Sequence, residues 1–497
     1  MQNIDERFNN LLGQIKNYSD NIDLEKIKAA FEFAKLAHAE EKRLSGDQMI
    51  NHPLETAIVL ASWKMDEATI IAGILHDTVE HGAATELDIL NKFGSEILEL
   101  VKGVSDVSKL KLVGSTNEIF VENLRKMFLA IAKDLRIVFL RLAERIDNLK
   151  TLDCLPEVRR NNYAIDSLEI YGPLAERLGM WEAKGEIDDL AFKYAYPKEF
   201  TKVLVESAPY YKNAKKRIEE MRRKLLVNFQ KENLTDFEIR SRKKGFHSLW
   251  KKLQRPDIGD DINGVRDIIA MRILVKEKND CYKALGILHQ FYKPVSGLAI
   301  SDFIAVPKPN GYQSIHTKVF GPDNKIVEVQ IRTFQMHEEA EYGISAHWQI
   351  SQLKSKGKLS SEDIDSGKSM VSSDKLQWVR ELANWQKEIK NSEEFLKAVK
   401  FDALSRRIFV FSPKGDVYDL PEGSTPVDFA FSVHTNLGFY IKNAMVDGKI
   451  VPLSFKLESG QVVEISKSKT PRNPNEDWLD FAKTTLARRE IKKSLSR

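Results

Sequence analysis

From Tyr312 to Arg332 the chain carries two runs of alternation separated by Gly321-Pro322-Asp323-Asn324-Lys325. In the first, Gln313, Ile315, Thr317 and Val319 alternate with Tyr312, Ser314, His316, Lys318 and Phe320. In the second, Val327, Val329 and Ile331 alternate with Glu328, Gln330 and Arg332. Successive side chains on a strand point to opposite faces, so the spacing predicts a hairpin with one aliphatic and one polar face. The polar face would gather an aromatic ring, an imidazole, a carboxylate, an amide and a guanidinium. A solvated face explains such polarity without function. The run Lys308-Pro309-Asn310-Gly311 leading into Tyr312 favours a nucleotide site instead.

On either side of the hairpin the patterns change. Residues 1–197 read as almost entirely helical: Ile27, Ala30, Phe31, Ala34 and Ala37 recur at helical spacing, and Asn51-His52-Pro53 opens a helix with proline in its first turn. A helical bundle-like domain follows from this. From about Phe237 strands and helices mix, with a β-branched run at 266–275 and a helix from about Asp280, which predicts an α+β domain on a mostly antiparallel sheet. Residues 353–375 are Ser, Lys, Asp and Gly with few core formers and read as a linker, followed by a short helix with Trp378 and Trp385. After Arg406, short strands separated by PKGD, PEGS and VDGK form a small compact sheet domain. The basic end, ARREIKKSLSR, reads as a solvated tail.

The helical domain holds a second polar constellation. His76-Asp77 ends an apolar helix, His52 lies upstream and Glu144 sits on a later helix. Two imidazoles with two carboxylates suit a mid-series divalent ion such as Mn²⁺. Glu80, four residues after His76, shares its helix face and is placed to deprotonate a metal-bound water. Glu144, Asp147, Asn148 and Thr151 share a face of the other helix. Local pairing of His76 with Asp77 is the plainer reading, but a polar pair beside Ile-Ile-Ala-Gly-Ile-Leu requires partners. The pattern points to a metal phosphohydrolase.

Bulk properties limit the classes. The 497 residues favour about three domains, and 42% apolar with 30% charged residues gives a soluble globular chain. A net charge of +4 neither demands nor excludes nucleic acid. Cys154 and Cys281 alone exclude a disulfide framework and a cysteine metal cluster. No apolar run approaches ~20 residues and no signal peptide opens the chain, so no membrane span and a cytoplasmic location are expected.

The motifs HDTVE, LAERIDNLKTL, PKPNGYQSIHT, VEVQIRT, MHEEAEYG and FVFSPKGDVYDLPEGSTPVDFAFSVHT, in this order, resemble the long RelA/SpoT-type enzymes that make and degrade the alarmone (p)ppGpp. The resemblance covers nearly the whole chain. It implies an HD-type hydrolase domain at 1–197, a nucleotidyltransferase-like synthetase domain at 198–350, a linker and short helix at 351–402, a β-grasp TGS domain at 403–467 and a basic tail at 468–497. For synthesis it implies ATP and GTP or GDP as substrates. Tyr312 would stack on guanine, Glu328 would activate the ribose 3′-hydroxyl and Asp267 would hold Mg²⁺. Arg242, Lys244, Ser248, Lys252, Arg272 and Lys308 would line the phosphate path, with His316 and Gln330 orienting the acceptor. For hydrolysis, His52, His76, Asp77 and Glu144 occupy the metal positions and Glu80 the water-activating one. Arg43, Asn148 and Thr151 match residues that hold the guanosine. His434 matches a residue expected near a tRNA acceptor end, so the TGS domain implies tRNA contact, protein contact, or a purely structural lid.

Three positions depart from the family pattern. His81 follows Glu80 where the family has Asp, Glu144 replaces a metal-binding Asp, and Ala299-Ile300-Ser301-Asp302 replaces an Arg-x-Lys-Asp or acidic run. The family's further C-terminal regulatory domains are absent from these 497 residues. A bifunctional enzyme is the leading expectation. A single-activity member and a non-catalytic sensor working through the TGS domain are the alternatives.

Overall fold

The structure is a computed structural model. It describes residues 3–80, 84–108, 117–256, 258–265, 268–296, 300–308, 311–343, 392–471 and 474–496. The chain divides into two compact units, residues 1–306 with 312–380, and residues 307–311 with 381–497. The linker expected at 353–375, the helix with Trp378 and Trp385, and Asp267, His81 and Ala299 lie outside the described residues.

The N-terminal part of the first unit is helical, as its periodicity predicts. Three helices form its centre: Asn51–Ser62, Glu67–Glu80 and Arg136–Lys150. Thr69 to Thr78 are buried in succession, as are Arg136 to Asp147. A helix buried all round must satisfy every polar side chain it carries, which is the local origin of the metal-type site. Gly73 sets the spacing. A Cβ there would lie 2.5 Å from Leu60 Cδ1, so its absence lets the first two helices approach and brings His52 towards His76.

The same unit continues into a five-stranded sheet: β1 Phe237–Lys243, β2 Ile269–Val275, β3 Ser301–Asp302, β4 Ile315–Phe320 and β5 Ile326–Thr333. Their order is β1-β2-β5-β4-β3, with β2 and β5 parallel and the other pairs antiparallel. The hairpin is present as β4 and β5, and its register sets His316 opposite Gln330 and Lys318 opposite Glu328. On β2, Arg272 is in register with Gln330, so three strands contribute to one polar row. Met271, Ile273, Ile315, Val319, Val329 and Ile331 are buried on the other face. Each such side chain contributes about 1.5–3 kcal/mol, and a one-residue slip would exchange the faces. The helices Pro197–Lys231 and Lys278–Phe291 supply much of the remaining core, joined by residues such as Leu249, Leu253 and Met336.

The second unit holds β6 Arg407–Phe411, β7 Val417–Pro421, β8 Ile441–Val446, β9 Lys449–Val451 and β10 Val463–Lys467, with the helix Pro426–Val433. The basic end is not a solvated tail: Thr485–Leu495 is a helix whose Ala487 and Ile491 are fully buried with Val427, Ala430 and Phe431. The i, i+4 apolar pair was legible, but its partners lie on a helix far away in sequence. Asp428 fastens the junction, its Oδ1 accepting from the Lys483 and Thr484 amides and the Thr484 hydroxyl at 2.7–2.9 Å. Among the described residues, no helix is long and apolar enough to cross a membrane.

Candidate functional sites

Two polar constellations stand in the first unit. In the helical one, His52 Nδ1 lies 2.6 Å from Asp147 Oδ2, and His76 Nδ1 lies 2.8 Å from the Gly73 carbonyl oxygen. Both acceptors require the proton on Nδ1, so each Nε2 is left with its lone pair. Those two Nε2 atoms face one another at 3.3 Å. Asp77 closes the group, with Oδ2 3.6 Å from His52 Nε2 and Oδ1 3.2 Å from His76 Nε2. One ligand atom from each of the three lies within 4.8 Å of the others. Two lone pairs and a carboxylate converging in a buried site repel one another unless a cation sits between them, so the donor set fits a divalent metal. Burial opposes protonation of His52, yet the hydrogen bond to Asp147 and the charges of Asp77, Asp147 and Glu144 outweigh it and raise its pKa.

Glu144 is placed differently from the other three. Its carboxylate pairs with the buried Arg141 and accepts from Asn148 Nδ2 at 3.4 Å, outside the group of three. Arg145 beside it is held with its guanidinium carbon 3.9 Å from the Tyr163 ring centre and 3.8 Å from that of Tyr171. Glu80 is exposed at the last residue of its helix. Arg43 donates to Asp147 Oδ2 and Asn148 Oδ1, both at 2.8 Å, and the Thr151 hydroxyl donates to the Asp147 and Asn148 carbonyls at 3.4 Å. Arg43, Asn148 and Asp147 therefore form one edge beside the imidazoles. The spacing placed Asp147 on that edge, but not its bond to His52, which spans 95 residues of sequence.

On the sheet, the polar row is continuous. The Tyr312 hydroxyl is 2.8 Å from His316 Nε2, His316 Nδ1 is 3.6 Å from Glu328 Oε1, and Gln330 Nε2 donates to the same oxygen at 3.2 Å. Phe303 stands edge-on to both rings, 6.2 Å from Tyr312 and 5.4 Å from His316. Further along, Arg272 Nη1 and Arg332 Nη2 bind Glu341 Oε1 at 2.9 and 2.7 Å. Arg332 is 1% exposed, so it is a buried support for Glu341 and not a member of the open face. Burial and then Arg332 bring Arg272 down to about 10. Burial, Arg332 and Arg272 bring His337 down to about 4, so it is a neutral acceptor for Arg332 Nη2 at 2.6 Å. With Arg240 and Arg242 on the neighbouring edge strand, this end of the face carries more cations than carboxylates and suits a polyanion.

The helix Phe246–Leu253 brings Ser248 and Lys252 onto one face, four residues apart. Asp189 positions it, accepting the His247 amide at 3.0 Å, while Asp188 Oδ2 lies 3.1 Å from His247 Nδ1. A Cβ on Gly245 would come within 2.7 Å of Asp189, which reserves that position for glycine. Neither aspartate is marked by sequence pattern: both sit in the helix Trp181–Ala195, and the His247 they hold lies far along the chain. Lys244 precedes the helix, its amide donating to the Ile268 carbonyl at 3.0 Å. Lys308 belongs to the second unit and is half-buried, with its pKa lowered by burial. In the second unit, exposed His434 accepts the Asn436 amide on Nδ1 at 3.1 Å.

Comparison with known proteins gives the class. Residues 30–181 match the HD domain, residues 241–354 the region found in RelA/SpoT proteins, and residues 408–467 the TGS domain. A protein of Myxococcus xanthus named GTP pyrophosphokinase is 41% identical over 482 residues, covering 96% of this chain and 61% of the relative. A guanosine-3′,5′-bis(diphosphate) 3′-pyrophosphohydrolase of Aquifex aeolicus is 41% identical over 477 residues, covering 95% and 65%. The bifunctional (p)ppGpp synthase/hydrolase RelA of Mycobacterium tuberculosis is 38% identical over 471 residues, covering 95% and 62%. The chain thus joins a helical HD domain, a mixed-sheet domain and a TGS domain. It belongs to the RelA/SpoT family. It spans 61–65% of the length of these three relatives. The HD domain implies divalent metal dependence.

Proposed function

We propose that the chain is a bifunctional alarmone enzyme, transferring pyrophosphate from ATP to the 3′-hydroxyl of GTP or GDP and hydrolysing (p)ppGpp back to GTP or GDP and pyrophosphate. The observation that carries this reading is the presence, in one compact unit, of two separate constellations with complementary chemistry: a buried imidazole–carboxylate group and a tyrosine–histidine–glutamate row beside a cationic edge. The names of the relatives include both activities.

In synthesis, Tyr312 offers its ring to guanine. Glu328, held by Gln330 and faced by His316, accepts the proton of the 3′-hydroxyl. The new bond forms between O3′ and the β-phosphorus of ATP, the bond from that phosphorus to the α–β bridging oxygen breaks, and AMP leaves with that oxygen. Arg242, Lys244, Ser248, Lys252, Arg272 and Lys308 supply the alignment and neutralisation such a transfer needs. Asp267 is the residue assigned to Mg²⁺.

In hydrolysis, His52, His76 and Asp77 would hold the ion, with Glu144 assigned to the same group; Mn²⁺ is the ion proposed. When bound, such an ion lowers the pKa of water and polarises a phosphoryl oxygen. Asp147 keeps His52 in the required tautomer, Arg43, Asn148 and Thr151 border the guanosine, and Glu80 takes the proton of the attacking water. The water oxygen bonds to the phosphorus on O3′, the bond from O3′ to that phosphorus breaks, O3′ takes up the proton the water gave, and pyrophosphate departs.

A second reading, predominant synthesis, is favoured by one observation: Glu144 is tied to Arg141 and not to the imidazole pair. The chain is proposed to be cytoplasmic, and its TGS domain to offer a contact for tRNA or protein. Two assays test the main reading, ATP with labelled GTP and Mg²⁺, and labelled ppGpp with Mn²⁺. Absence of ppGpp in the first removes the synthetase, and absence of pyrophosphate in the second removes the hydrolase.

A further inference from the structure

A cavity of about 340 Å³ opens on the side of the sheet opposite the polar row, beneath the long helix Pro197–Lys231. Its apolar wall is made by Ile218 of that helix, Ile269 of β2 and Val327 of β5, all on the core side. Arg217 and Lys325 stand at it, and Tyr210 donates to Asn263 Oδ1 at 3.0 Å across it. Among the described residues, no aspartate or glutamate lines the cavity. Among the described residues, neither Arg217 nor Lys325 has an ion-pair partner. An apolar concavity with two uncompensated cations and a few amides has the composition of a small-ligand site, at the lower end of the usual size range.

We propose that this cavity binds a small aromatic anion, one mono- or bicyclic ring carrying a single carboxylate, phosphate or sulfonate. The ring would lie against Ile218, Ile269 and Val327, and the anionic group between Arg217 and Lys325. The lining includes none of the residues assigned above to ATP or GTP, which separates this site from that of the proposed substrates. Val327 adjoins Glu328 in β5, and Ile269 begins β2 two residues after Asp267. Occupancy therefore shifts both strands that carry the synthetic residues. This consequence rests on the proposed synthetase reading; the binding itself does not.

The probe is 8-anilinonaphthalene-1-sulfonate, whose fluorescence rises in an apolar site, titrated into the full chain. Saturable binding is expected, weakened about tenfold or more in Arg217→Glu/Lys325→Glu, where each lost charge contact is of the order of one decade in affinity. Ala214→Phe, which fills the cavity and leaves both cations, should abolish it. The rim variant leaves the core untouched, so it decides the matter even if Ala214→Phe fails to fold. Equal affinity in the wild-type chain and the rim variant, or no saturable binding, overturns the site. Saturating probe should change the rate of ppGpp synthesis in the wild-type chain and leave the rim variant unaffected. Binding at the cavity with an unchanged rate overturns the coupling, and a chain that makes no ppGpp even without probe rejects the synthetase reading while the binding result stands.

Discussion

His52 and His76 meet through their Nε2 atoms at 3.3 Å, each ring fixed by a hydrogen bond on its far nitrogen. The arrangement makes Asp147 a positioning residue, because it fixes which nitrogen of His52 is free. Asp147→Asn should weaken divalent-metal binding by about 10- to 100-fold, the usual consequence of losing an orienting carboxylate. Titration calorimetry with Mn²⁺ on the full chain checks this. Unchanged affinity would mean that Asp147 does not set the tautomer.

Arg141 and Glu144 form a buried pair beside that group. Burial disfavours the Arg141 charge, but Glu144 and the surrounding tyrosines hold its pKa high. Removing one member of such a pair strands the other, so Arg141→Met should destabilise the first unit by about 3–5 kcal/mol. Adding Glu144→Gln should recover most of that loss. Chemical denaturation of the two variants measures both numbers, and a single substitution costing no more than the double one would show that the pair is not coupled.

In the second unit, burial raises Asp402 to about 6 from 3.8, against the hydrogen bond from Thr485 and the charge of Arg407. A carboxyl with a folded pKa above its unfolded one binds its proton more tightly when folded. Its contribution is fully present below pH 3.8 and is lost as the pH rises through about 6. The difference is worth about 3 kcal/mol at neutral pH. The Thr485 amide, which donates to Asp402 at 2.8 Å, should accordingly exchange hydrogen faster at pH 7 than at pH 4 after correction for intrinsic rates. Asp402→Asn should flatten this dependence, whereas a pH-independent protection factor in the wild-type chain contradicts the assignment.

The hairpin from Tyr312 to Arg332 was readable because its alternation is strict and its two faces differ in chemistry. The sequence also placed His52, His76 and Asp77 together, since a polar pair in an apolar helix demands partners. What local pattern could not supply is which distant group satisfies which. The bonds His52–Asp147 and Asp189–His247 join residues 95 and 58 apart, and the burial of Arg332 depends on Glu341 from the following helix. The C-terminal helix was misread for the same reason. Ala487 and Ile491 form an apolar stripe whose partners, Ala430 and Phe431, lie on another element.

The two active sites proposed for the first unit should work independently, and inactivating each in turn separates them. Glu328→Gln and His76→Ala are each assayed for ppGpp synthesis from ATP and GTP and for pyrophosphate release from ppGpp. Glu328→Gln should lower synthesis by about 10²- to 10⁴-fold, the range for loss of a general base, and spare hydrolysis. His76→Ala should abolish hydrolysis and leave synthesis measurable. If either substitution removed both activities in a folded chain, or Glu328→Gln still made ppGpp at the wild-type rate, the two-site assignment would be contradicted.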